Sequence, residues 1–358
     1  MFFKDKNRKK YLLAPQTKFY DSMAAKWKPF IMFNQYPNIR SQYCNTDIFG
    51  MRFNNLTDKH KKISIFNQYP DSNKEGAVII GNSLSFGEGQ SSDKKTISNI
   101  LTENTKYNFY NLSGRGFSGY QELNNFLILK HKIKNLKKII IISGLNDSIL
   151  PFFIKDYESE QAPIFGYDRY TNVMRSSAIG WKNKLAKFLL NPFLKKKNEY
   201  WERANHLNWR EEIFGENYNF EEHNDKLTSL QNMEDIMKRN IQIWSNLAKG
   251  MDIEIDFILQ PVGSWCKDVK TSEEEKIFQE EDQITYLYNI YKHVELEKYS
   301  SVKKILEKTT RKNFINFIDM NEIFNQEALA DKWLFTSKFH VTDLGSKIIA
   351  ENLINKLF

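Results

Sequence analysis

Four short stretches of this sequence carry residues that could share one reaction. "GNSLSFGEG" begins at Gly81 and holds Ser83; "NLSGRGFSG" begins at Asn111 and holds Gly116; "SGLND" begins at Ser143 and holds Asn146; "FHVTDLG" begins at Phe339 and holds His340. Acyl transfer needs a nucleophile, a base within hydrogen-bond reach of it, and donors aimed at the developing oxyanion. Ser83 can supply the nucleophile and His340 the base. The backbone N–H groups of Ser83 and Gly116, with the side-chain amide of Asn146, can supply the oxyanion donors. Glycine suits position 116 because a side chain there would crowd the carbonyl under attack.

For these groups to meet, one scaffold must deliver all four stretches to one place. Apolar runs at 77–80, 107–110, 139–142, 253–259 and 314–319 have strand length, and most are β-branched or aromatic. Helix-spaced stripes lie between and after them: Ile97, Ile100 and Leu101; Leu123, Phe126 and Leu127; Met233, Ile236, Met237, Ile241 and Trp244; Leu344, Ile348, Ile349 and Leu353. This alternation predicts an α/β fold with a parallel five-stranded sheet covered on both faces. Ser83, Gly116 and Asn146 then follow the first three strands and His340 follows the fifth, at the edge where open α/β sheets bind ligands.

The four blocks, in this order, resemble the SGNH (GDSL-type) hydrolases, from Gly76 to Phe358 with insertions left out. More narrowly, NLSGRGFSGYQEL together with IIISGLND and FILQPVG resembles a bacterial branch associated with surface-polysaccharide or secondary-metabolite loci. The resemblance implies a flavodoxin-like three-layer α/β/α sandwich with helical insertions. It also implies an esterase or acyltransferase acting on an O-acylated sugar or small molecule, without metal or organic cofactor. By the same resemblance Ser83 is the nucleophile, His340 the general base, and Gly116 and Asn146 belong to the oxyanion hole.

Two positions depart from the family pattern. Asn82 stands where the family has an Asp just before the Ser, and Ser337 where it has an Asp three residues before the His. An orienting carboxylate holds the base in the right tautomer, and in chymotrypsin-like proteases its replacement by an amide lowers kcat by about 10⁴. Three arrangements remain open: a Ser–His dyad oriented by Ser337 or a backbone carbonyl, a substitute carboxylate from Asp331 or Asp343, or a pocket without catalytic power that binds a glycan or lipid intermediate. The dyad is preferred, because Ser, Gly, Asn and His are all retained. Asp343 opens the last helical stripe and is expected to cap it.

A chain of 358 residues with 41% hydrophobic content can bury a sizeable core. No apolar run approaches the ~20 residues that span a bilayer, and the charged start MFFKDKNRKK is unlike a secretory peptide, so a cytoplasmic protein is expected. Cys44 and Cys266 stand far apart with no CxxC or His neighbour, which predicts free thiols and no structural zinc. The net charge of +8 is diffuse, and no nucleic-acid, dinucleotide, P-loop or HExxH motif accompanies it.

Residues 1–75, rich in aromatics and Asn, read as an irregular extension packed on the main domain, 76–358, which insertions interrupt at about 151–231 and 262–300. Within the first insertion, 181–197 carries six lysines and no acid, a segment for weak contact with an anionic membrane or acidic carrier, or simply a solvated helix face. Gln260-Pro261 either lines the pocket or only ends the fourth strand.

Overall fold

The computed structural model describes residues 8–56, 64–69, 72–153, 164–165, 226–266, 270–294 and 296–358. Among them the chain starts with two short helices, α1 (Lys9–Leu13) and α2 (Gln16–Ser22), and an antiparallel hairpin of β1 (Ala25–Lys28) and β2 (Met32–Gln35). The segment 181–197 and most of 151–231 lie outside the described residues.

The α/β pattern begins with β3 (Glu75–Gly81), followed by α3 (Ser83–Phe86), α4 (Ile97–Asn104), β4 (Tyr107–Asn111), α5 (Gly119–Leu129), β5 (Leu136–Ser143) and α6 (Leu145–Ile149). It resumes with α7 (Lys226–Met251), β6 (Glu254–Leu259), α8 (Gly263–Cys266), α9 (Ser272–Asp282), α10 (Thr285–Tyr291) and α11 (Leu296–Lys312). The last elements are β7 (Asn316–Asp319), α12 (Met320–Phe324), the small hairpin β8 (Phe335–Ser337) and β9 (His340–Val341), and α13 (Asp343–Leu357).

Strands β3 to β7 form one sheet in the order β4-β3-β5-β6-β7, every neighbouring pair parallel. This is the flavodoxin-like order 2-1-3-4-5, whose direction reverses between the first and third strands and opens a crevice there. Near-continuous burial of the strands follows from helices on both faces. Val78, Ile80, Ile139 and Ile141 pack on one side with Phe126, Met237 and Trp244. Ala77, Ile79, Ile140 and Ile142 pack on the other with Leu101, Ile349 and Leu353. Period-two alternation along each strand thus separates the two layers of core.

Three sequence expectations shift by a residue or two. Leu127 and Leu344 are 40% and 41% exposed, and Leu129 is buried in place of the former. The fifth strand starts at Asn316 and not at 314: Phe314 has φ +58° and is 86% exposed in the turn before it. Cys44 and Cys266 are both buried, and neither forms a disulfide. Among the described residues no helix is long and apolar enough to cross a membrane.

Candidate active site

Strand β3 delivers its last residue, Gly81, straight into a one-turn helix. Asn82 is extended and its side-chain oxygen accepts the Leu84 N–H at 3.1 Å, an N-cap that turns the chain and leaves Ser83 at the first helical position. The Asn82 amide donates to the Gln260 side chain, so Asn82 and Gln260 brace the turn from strand ends β3 and β6. Ser85 fixes the same turn by donating to the Ile142 carbonyl at 2.6 Å.

The hairpin β8/β9 brings His340 to that serine. Nε2 of His340 lies 2.8 Å from Ser83 Oγ, and Nδ1 lies 2.8 Å from Ser337 Oγ. Ser337 Oγ also accepts the backbone N–H of His340 at 3.0 Å and of Phe339 at 3.3 Å. Helix α9 holds the hairpin: the Glu274 carboxylate accepts from Leu334 N–H and Phe335 N–H, and Glu281 accepts from Lys338 N–H. Gly89, with φ +98°, passes close beneath it; a Cβ there would lie 2.6 Å from Thr336 Oγ1 and 2.9 Å from the Val341 carbonyl.

Gly116 has φ +71°, a left-handed backbone that favours glycine, and this adds a conformational reason to the steric one. Among the described residues, no acceptor lies on the backbone N–H of Ser83 or of Gly116. Asn146 donates one amide hydrogen to the Phe117 carbonyl at 2.7 Å, which ties it to the Gly116 loop and leaves its second hydrogen for another acceptor. Ser83, Gly116, Asn146, Ser337 and His340 all line one cavity of about 90 Å³, whose apolar wall includes Leu145, Ile149, Leu287, Ile290 and Phe339. A larger groove of about 690 Å³ lies at the opposite end of the strands, around Lys138, Glu254 and Phe314, and holds none of these groups.

The two candidate substitute carboxylates are placed elsewhere. Asp331 is exposed and pairs with Lys332 at 2.9 Å. Asp343 gives both oxygens to Ser91, accepting from its N–H at 2.8 Å and its hydroxyl at 2.5 Å. Nor does Asp343 cap α13: Thr342 does, accepting the Gly345 N–H, because the cap must precede the first helical residue.

The structure adds charged groups that sequence reasoning passed over. Glu88 Oε2 lies 3.8 Å from His340 Nε2, and the same oxygen accepts from Arg115 Nε at 2.7 Å. Arg115 also donates to the carbonyls of Tyr20 and Met23, which anchors the pair to α2. Arg52 is fully buried; its guanidinium donates to the Gly87 and Tyr43 carbonyls at 2.6 Å and pairs with Asp93 at 2.8 Å, clamping the end of α3. One local signal was available for Glu88 and Arg115: each is a charge between two glycines, in GEG and GRG.

Behind the Gly116 and Asn146 loops sits a buried acidic cluster. Glu122 is 1% exposed, and burial first, then the neighbouring Asp147 charge, hold its carboxyl well above the usual carboxylate range. Ser143 donates to it at 2.6 Å. Burial also raises Asp147, although Gly119 N–H at 2.9 Å and the Asn240 amide at 3.1 Å donate to it.

Fold and site together define a flavodoxin-like α/β/α sandwich with a serine–histidine contact at its ligand edge. Neither a protein-family model nor a curated protein matches the chain. Solved structures similar to it include the acetyl xylan esterase AlAXEase, at 12% identity and a TM-score of 0.39, covering 79% of this chain and 100% of that one. A putative acylhydrolase from Bacteroides fragilis is similar at 12% identity and a TM-score of 0.38, covering 85% and 97%. Est24, a carbohydrate acetylesterase from Sinorhizobium meliloti, is similar at 9% identity and a TM-score of 0.41, covering 79% and 98%. Likeness at that level adds nothing to the distances above.

Proposed function

We propose that this protein is an SGNH-type serine ester hydrolase acting on an O-acylated sugar or other small molecule. The observation that carries the reading is the relay Ser83 Oγ to His340 Nε2 at 2.8 Å with Nδ1 tied to Ser337 at 2.8 Å. That is hydrogen-bond reach for a general base on a nucleophile. A Ser83–His340 contact of this length with an acceptor on Nδ1 favours the catalytic reading over a pocket that only binds a glycan or lipid intermediate.

In this mechanism Ser83 Oγ forms a bond to the ester carbonyl carbon as its proton passes to Nε2. The oxyanion takes hydrogen bonds from Ser83 N–H, Gly116 N–H and the second amide hydrogen of Asn146. The imidazolium donates through Nδ1 to Ser337, and the Glu88 carboxylate faces its charge from 3.8 Å, partly offset by Arg115. Collapse of the intermediate breaks the bond to the alcohol, which leaves with the proton from Nε2. Water then attacks the acyl-Ser83 ester as His340 takes its proton, and collapse breaks the bond to Ser83 Oγ, which regains the proton from Nε2 as the acid is released; an acceptor hydroxyl in place of water would make the product a transferred ester.

A fluorophosphonate probe tests the reading directly. Wild type should label, Ser83→Ala should not, and His340→Ala should label about 10³-fold more slowly or less. Wild type left unlabelled where a reference serine esterase reacts defeats the proposal.

A further inference from the structure

The catalytic cavity has a polar wall that the mechanism does not use. Lys10 of α1 lines it and is only 3% exposed. Its Nζ lies 3.7 Å from Asp21 Oδ1 and 3.6 Å from Glu281 Oε1, near enough for ion pairing but longer than a hydrogen bond. Among the described residues no hydrogen bond is made by this ammonium, which carries three donors. A buried ammonium held that way is expensive unless an acceptor completes it.

Glu281 lines the same cavity and is half used. Its Oε2 accepts from the Tyr291 hydroxyl at 2.8 Å and from Lys338 N–H at 3.0 Å, whereas Oε1 faces Lys10. One donor and one acceptor therefore stand side by side in the cavity that Ser83 and His340 also line. A neutral hydroxyl matches both, accepting from Lys10 and donating to Glu281. An anionic group matches less well: among the described residues, Arg8 and Lys10 face the three carboxylates of Asp21, Glu280 and Glu281.

Resting on the ester-hydrolase reading, we infer that Lys10 and Glu281 form a hydroxyl-binding subsite that selects esters of polyols over plain alkyl esters. The N-terminal helix α1 thus supplies a specificity determinant to a site whose chemistry comes from the sheet. Glu281 also holds the hairpin of His340 through Lys338, so Lys10 is the residue to vary.

The test compares glyceryl monoacetate with propyl acetate, which has the same carbon chain without the hydroxyls. Wild type should prefer the glyceryl ester, and Lys10→Met should lower kcat/KM for it by about 10-fold or more while propyl acetate stays within about twofold. Lys10→Gln, which keeps a donor, should retain part of the preference. Equal loss on both esters, or no preference in wild type, overturns the subsite while leaving the hydrolase reading intact. Binding separates the two ideas: saturation-transfer NMR of glyceryl monoacetate on Ser83→Ala should show a signal that Lys10→Met in the same background abolishes. That result with no turnover and no fluorophosphonate labelling in wild type would defeat the hydrolase and support the subsite. An unchanged NMR signal would overturn the subsite whatever the turnover.

Discussion

Ser337 Oγ is approached by three donors, the N–H groups of Phe339 and His340 and, in the productive tautomer, Nδ1–H of the same histidine. A hydroxyl has two lone pairs, so Nδ1–H competes with the longer backbone contact at 3.3 Å. A carboxylate has about four acceptor sites and a charge, and would satisfy all three. Ser337→Asp is therefore expected to raise kcat by about 10- to 100-fold on any ester the protein turns over. The added buried charge should lower stability by about 1–3 kcal/mol. Steady-state kinetics beside urea denaturation check both, and a variant slower than wild type would show that the hydroxyl already orients the ring.

Among the elements, the α3 turn and the β8/β9 hairpin meet across Gly89. The serine and histidine come from segments 257 residues apart in sequence, so their contact depends on how these two elements pack against each other. Gly89→Ala would strain a φ of +98° and push against Thr336 and the Val341 carbonyl. A shift of the hairpin by a fraction of an ångström is enough to lengthen the Ser83–His340 contact. The expected outcome is a loss of about 10- to 100-fold in fluorophosphonate labelling rate with the fold retained, read by labelling and circular dichroism together. Labelling at the wild-type rate would mean that the hairpin accommodates the methyl group.

At the scale of the whole molecule, the buried Glu122 links stability to pH. Its folded-state carboxyl is held well above the ordinary 4.5, so above that pH the unfolded chain gives up a proton that the folded protein keeps. The folded state then binds more protons, and this group's contribution to stability falls as pH rises from 4.5 through its folded-state value. Glu122→Gln removes the titration while keeping an acceptor for Ser143. The stability of the variant relative to wild type should therefore grow steadily with pH across that window, as denaturant titrations at several pH values would show. A difference independent of pH would mean that Glu122 is ionised in the folded protein.

Some of this was legible in the residue string because it depends on local periodicity and on short turns. β-branched runs such as Ile139–Ile142 read as buried parallel strands, and GNS, GRG, LND and FH each mark a strand exit or turn within a few residues. The order of those elements was enough to predict one ligand edge. Tertiary structure alone decided which group faces Nδ1, since Asp331, Ser337 and Asp343 all lie within 12 positions of each other and only Ser337, on the hairpin itself, is turned to the ring. It likewise decided that Lys10, Arg52, Glu88 and Arg115 surround the site, because their partners are far away in sequence and a buried charge is identified by what it meets, not by its neighbours along the chain.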